Sequence, residues 1–245
     1  MKQGVLITRP HPLAERTAAA VAGLGFQPYL CPLLEIVPLP ISLVTASYDG
    51  AIFTSATPFR LGVALKLPAD LPLYVVGRQT GEAAREAGFL DIRHCAPDAA
   101  SLAGWLNRQS FAGLQALVHY RGVHQAQDLA ALLDPAKITL TSVPMYDTRV
   151  QPLQKTSIHL LLGGAVQWIM LYSRRSSVAL AAAILGMEEF GWIKDTSLLC
   201  LSSAVKEPVY DLAWRGVQVA AEPDEAAMLA CLQQGGAKFG GDGKS

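Results

Sequence analysis

This sequence has no close cysteine pair, no net charge and no long apolar run, and each absence removes a class of protein. Cys31, Cys95, Cys200 and Cys231 lie far apart and form no CxxC, which excludes the usual zinc spacing and a disulfide framework and points to a reducing cytoplasm. Twenty basic residues balance twenty acidic ones, so no whole-molecule field exists to hold nucleic acid or an anionic membrane. Any anion has to be bound locally. The longest apolar stretch, Ile158 to Tyr172, is broken by Gly163, Gly164 and Gln167 and is too short to span a bilayer. Met1 to Pro10 lacks the charged-then-apolar order of a signal peptide, and a cytoplasmic protein without membrane contact is expected. No glycine-rich dinucleotide fingerprint, Walker-type phosphate loop or GxSxG elbow is present. His119 and His124 stand five apart, a poor metal spacing, while His11, His94 and His159 read as surface or satisfied histidines. Neither a metal nor a cofactor is expected.

What is present is apolar. Of the 245 residues, 51% are hydrophobic and only 16% charged, the balance expected when strands are covered on both faces. Short β-rich runs recur at Val5 to Thr8, Ala51 to Thr54, Leu73 to Val76, Leu117 to Tyr120, Trp168 to Tyr172, Leu198 to Leu201 and Val217 to Ala220. Helix-like spacing follows them, as in Leu13, Thr17, Ala20, Val21 and Leu24, or Ala126, Leu129, Ala130 and Leu133. Gly25, Gly88 and Gly216 fall where helices would end. The alternation predicts an α/β protein with parallel sheets. The Gly- and Lys-rich end from Gln233, and residues 237–245 in particular, reads as an unstructured tail.

The chain also resembles itself. One shift sets Arg9 on Arg121, Pro32 on Pro144 and Glu35 on Asp147; a second carries Ser55 onto Ser173; a third carries Leu73 onto Leu198 and Pro97-Asp98 onto Pro223-Asp224. Duplicated segments in the order a, b, a′, b′ follow. Either the repeats stack as such, or b closes with a′ into a continuous lobe over 40–146 while 1–36 joins 150–236 in a discontinuous one. The second is preferred, because each lobe then holds about five parallel strands. Two proline-bearing crossings, near Ile36 to Pro40 and near Thr148 to Pro152, would connect the lobes.

In open parallel sheets ligands bind beyond the carboxyl ends of the strands. Those places carry Thr8-Arg9-Pro10, Thr54-Ser55, Gly77-Arg78-Gln79-Thr80, Tyr120-Arg121-Gly122, Tyr172-Ser173-Arg174 and Ser202-Ser203. Taken singly, each hydroxyl reads as a helix cap. Taken together, helix starts, hydroxyls and arginines make a surface suited to carboxylates or phosphates.

These motifs, with Val143-Pro144-Met145-Tyr146-Asp147-Thr148, resemble the uroporphyrinogen-III synthase family from Val5 to Leu232. The resemblance implies two flavodoxin-like lobes joined by a two-stranded connector, with the active site in the cleft between them. It implies a cofactor-free lyase that cyclises hydroxymethylbilane with inversion of ring D through a spiro intermediate. It assigns Tyr146 to departure of the substrate hydroxyl and Thr80 to the cleft, and sets Arg9, Thr54, Ser55, Gly77, Arg121, Gly122, Ser173, Arg174, Ser202 and Ser203 near the substrate. Ala204 and Val205 depart from family forms that carry threonines there, so a hydroxyl role at that motif would fall to Ser202 or Ser203. The alternatives are a hinge aromatic at Tyr146, a plain cap at Thr80, and a two-lobe anion receptor or sensor without catalysis. A monomer is expected, with a transient contact to the enzyme that makes the substrate left open.

Overall fold

The computed structural model describes residues 2–40, 48–125 and 127–239. In chain order its elements are β1 (Gly4–Ile7), α1 (Leu13–Gly23), β2 (Gln27–Leu30), β3 (Leu34–Pro38), β4 (Gly50–Phe53), α2 (Thr57–Arg60), β5 (Leu73–Val76), α3 (Arg78–Glu86), β6 (Ile92–Ala96), α4 (Ala99–Arg108), β7 (Gln115–Gly122), β8 (Ile138–Val150), α5 (Lys155–Leu162), β9 (Trp168–Leu171), α6 (Arg174–Leu185), β10 (Ser197–Cys200), α7 (Ser203–Lys206), β11 (Gly216–Val219) and α8 (Glu225–Phe239). The chain divides into two compact units. One holds the residues up to Ile36 and from Arg149 onward, the other Val37–Thr148.

The first unit is built on a five-stranded sheet in the order β11-β10-β9-β1-β2, with parallel pairing throughout. Alternation along β1 sends Val5 and Ile7 to one face, where they meet Val21 of α1 and Met228 and Leu232 of α8. Leu6 points to the other face, toward Leu161 of α5 and Leu180 and Ile184 of α6. Both faces are therefore covered, and each large side chain taken fully out of water contributes about 1.5 to 3 kcal/mol.

The second unit follows the same plan. Its parallel strands run β8-β7-β4-β5-β6, with β3 added beside β8. Phe53, Val75, Val118 and Tyr120 face Ala83 and Ala84 of α3, while Ile52, Tyr74 and Leu117 face Leu102 and Leu106 of α4. Laid side by side, β9, β10, β11, β1 and β2 occupy the places of β4, β5, β6, β7 and β8. One sheet is thus a cyclic permutation of the other. The three sequence shifts connect these same strand pairs, and the repeated Pro-Asp marks matching caps: Asp98 accepts from the Ser101 N–H at 2.7 Å, and Asp224 from the Ala227 N–H at 2.8 Å.

The chain leaves the first unit in β3 and returns in β8. Leu39 donates its N–H to the Met145 carbonyl at 2.9 Å and Gln151 donates to Leu33 at 2.8 Å, so the two strands run antiparallel.

Three expectations need correction. Among the described residues between β7 and β8 there is no α-helix, only a 3-10 turn at Ala130–Leu132, and Ala126 lies outside the described residues. Gly216 opens β11 rather than closing a helix. The expected tail is helical as far as Phe239, and only 240–245 lie outside the described residues. The glycines that suggested flexibility serve packing instead: a Cβ on Gly235 would lie 2.5 Å from Trp168 Cη2, and one on Gly236 2.5 Å from Phe26 Cζ.

Candidate functional site

In the second unit the carboxyl ends of β4, β5 and β7 present Thr54, Gly77 and Arg121. Gly77 turns the chain from β5 into α3 at φ +83°, a conformation that favours glycine, and its carbonyl accepts from the Thr80 N–H at 3.0 Å. Thr80 itself is buried in the first turn of α3. Ser55 caps the chain ahead of α2, accepting the Thr57 N–H at 3.1 Å and contacting the Thr57 hydroxyl at 3.0 Å.

Thr54 is half-buried, and its hydroxyl lies 3.2 Å from Nε2 of His119. That histidine is 1% exposed, and its Nδ1 has no hydrogen-bond partner among the described residues. Burial, reinforced by the Arg121 charge, pushes its pKa down to about 4. The ring is therefore neutral at neutral pH. Arg121 donates to the Gly122 and Val123 carbonyls at 2.8 and 3.0 Å, while its own Nε is buried without a partner among the described residues.

Tyr146 lies in β8 opposite Gly122, just past a register shift between Arg121 and Gly122. Its carbonyl accepts the Val123 N–H at 2.9 Å. The ring rests on Gly122, where a Cβ would stand 2.9 Å from Cε2 and Cζ and 3.1 Å from the hydroxyl oxygen. Pro144, opposite Arg121, has no N–H to give the ladder, and the shift follows directly after it.

In the first unit the corresponding strand ends are more occupied. Arg9 reaches Glu225 at 3.2 Å and Thr17 at 3.0 Å, and its guanidinium carbon lies 4.2 Å from the Tyr172 ring centroid. Thr17 also donates to Glu225. This cluster pins β1 to α1 and α8, and it matches the arginine's charge internally. Burial pushes the Tyr172 phenol up to about 12, despite the opposing pull of Arg9. Ser173 is the cap of α6, accepting from the Ser176 N–H at 3.1 Å and touching the Ser176 hydroxyl at 2.8 Å. Arg174 extends to Glu207 at 3.5 Å and is largely exposed. Ser202 precedes α7 and Ser203 begins it; neither hydroxyl has a protein partner among the described residues. Ser203 also lines a cavity of about 340 Å³ with Lys206, Glu207, Tyr210 and Asp211.

Among the described residues, no group of three His, Cys, Asp or Glu side chains is placed to hold a metal ion, and no helix is long and apolar enough to cross a membrane. The second unit thus sets Thr54 and Arg121 near His119 at the carboxyl ends of β4 and β7, and Tyr146 against Gly122 where β7 pairs with β8. Sequence reasoning missed His119 as their neighbour. Its partner Thr54 is 65 positions away, a separation that no local pattern records.

Comparison with known proteins agrees with this topology. The sequence profile of the family described as uroporphyrinogen-III synthase HemD matches residues 15–230. No curated protein matches the sequence significantly. Among solved structures, uroporphyrinogen-III synthetase from Helicobacter pylori 26695 is similar over 96% of this chain and 99% of its own, at TM-score 0.62 and 15% identity. A mutant uroporphyrinogen III synthase from the extremely thermophilic bacterium Thermus thermophilus is similar over 97% and 99%, at TM-score 0.58 and 15% identity. At such identity these two structures speak for the fold, and the profile match speaks for the family.

Proposed function

Because the chain belongs to the uroporphyrinogen-III synthase family, we infer that it is a cyclising lyase that closes hydroxymethylbilane to uroporphyrinogen III with loss of water and inversion of ring D. The observation that carries this reading is the profile match across 15–230, on a fold with two mainly parallel sheets. The rival reading, an anion receptor without chemistry, has no observation in its favour.

The reaction asks little of any single side chain. Departure of the terminal hydroxyl leaves a delocalised cation, and the product depends on which carbon of the far ring attacks it. Favouring one closure a hundredfold takes about 2.7 kcal/mol between transition states, a difference that orientation can supply. Tyr146, held by Gly122 and by the bond from Val123, is the group proposed to hydrogen-bond the departing hydroxyl. Thr54, Ser55, Arg121, Ser202 and Ser203, with the start of α3 at Gly77 and Thr80, are proposed to hold the carboxylate arms. Ser173 and Arg174 would add to that grip from the start of α6. Arg9 supports it indirectly, by fixing the end of β1 through Glu225.

We place the reaction in the cytoplasm, since Cys31, Cys95, Cys200 and Cys231 are all free thiols. The chain is proposed to act as a monomer that receives its labile substrate from the enzyme that makes it. The test is incubation with enzymatically generated hydroxymethylbilane followed by isomer separation. Type III product is expected, and type I in the proportion of an enzyme-free control would refute the assignment.

A further inference from the structure

His119 lies deep at the carboxyl end of β7, and two residues further along the same face of the sheet lies Arg121. Thr54, just past β4, is on this face as well, since Ile52 two residues before it packs in the same layer as Leu117. The charged groups acting on the ring are Arg121 and, in the opposite sense, Asp128. A neutral imidazole carries one proton, and the hydrogen bond of one nitrogen decides where that proton sits. Among the described residues only Nε2 has an acceptor in reach, the Thr54 hydroxyl oxygen at 3.2 Å, whereas a proton on Nδ1 would be a buried donor with none of them to meet.

We propose that His119 is a positioning residue: its Nε2–H donates to Thr54 Oγ1 and so leaves the Thr54 hydroxyl proton free for a carboxylate arm of the substrate. The opposite tautomer would consume that proton and present only lone pairs to an anion. His119 touches no substrate and acts through Thr54. The inference rests on the reading above that Thr54 meets the substrate.

Two measurements test it. In the full chain at neutral pH, 15N spectra of the imidazole should show the proton on Nε2 and a bare Nδ1; the reverse assignment overturns the proposal. In steady-state kinetics, Thr54→Val and His119→Phe should each raise KM about tenfold with little change in kcat. The double variant should be no worse than Thr54→Val alone, Thr54→Ser should keep most of the affinity, and His119→Gln, whose amide can donate the same bond, should restore it. A full additional loss from His119→Phe in the Thr54→Val background overturns the positioning role, because a merely structural histidine would weaken both backgrounds alike. An unchanged KM in Thr54→Val overturns the substrate contact and the proposal with it, while the spectra still report whether the hydrogen bond itself exists.

Discussion

The ring of Tyr146 rests on the bare backbone of Gly122, so the position of the phenol is set by a residue that has no side chain. Glycine is required there for closeness, and the bond from Val123 N–H to the Tyr146 carbonyl at 2.9 Å holds the other side of the contact.

Gly122→Ala should therefore act on turnover through Tyr146. The added methyl would stand 2.9 Å from two ring carbons, closer than any ordinary contact, and the phenol has to swing away. Tyr146→Phe is expected to lower kcat by about 10-fold to 100-fold, and Gly122→Ala by a similar factor, with the double variant no slower than the slower single one. Coupled assays on the three proteins check this. Full activity in Tyr146→Phe would remove the hydroxyl from the reaction.

Acid should weaken the fold through His119. Its pKa falls from 6.5 to about 4 on folding, so below pH 6.5 the unfolded chain takes up a proton that the folded chain refuses. Stability contributed by the neutral ring is complete above that range and is lost as pH drops toward 4, by about 3 kcal/mol in all. Urea titrations at pH 7 and pH 4 should show wild type losing that much more than His119→Gln. Equal losses would contradict it.

Gly235→Ala should destabilise the protein even though alanine is the better helix former by about 1 kcal/mol. The new Cβ would sit 2.5 Å from Trp168 Cη2, and overpacking at such a contact costs about 1 to 3 kcal/mol. A lower melting temperature is the expected result. An exposed control, Gly113→Ala, has open space around it and should not show the loss.

The matching caps offer a fourth test. Asp98→Ala and Asp224→Ala each remove one acceptor from a helix start and should cost about 1 kcal/mol apiece. The two share no partner, so denaturant curves of the double variant should show the sum of the single losses.

Much of this architecture was legible in the sequence, and what was missed has a physical cause. Strands buried on both faces, such as β1 and β9, show as unbroken apolar runs. The edge strands β2, β3 and β6 do not, because one side of each meets solvent or another layer and the pattern thins to Gln27-Pro28-Tyr29-Leu30 or Ile92-Arg93-His94-Cys95-Ala96. The long strand β8 was obscured by its polar alternation and by Pro144. Duplication was readable because Pro and Asp at caps are chosen by backbone geometry. The helix expected after β7 failed because apolar spacing over Leu129, Ala130 and Leu133 also fits a turn that buries Leu129 and Leu133 against α4. Motifs alone single out Thr54, Arg121 and Tyr146 as candidates, but the commitment of Arg9 to Glu225 spans more than two hundred residues and leaves no mark in its neighbours.

The permuted strand order has a consequence for biosynthesis. A ribosome emits β1 and β2 first, yet β1 belongs in the middle of a sheet whose other neighbour, β9, emerges only after the whole Val37–Thr148 unit. The contiguous unit can fold cotranslationally as soon as it clears the exit tunnel, whereas β1 and β2 have to wait with an unpaired edge until β9 arrives.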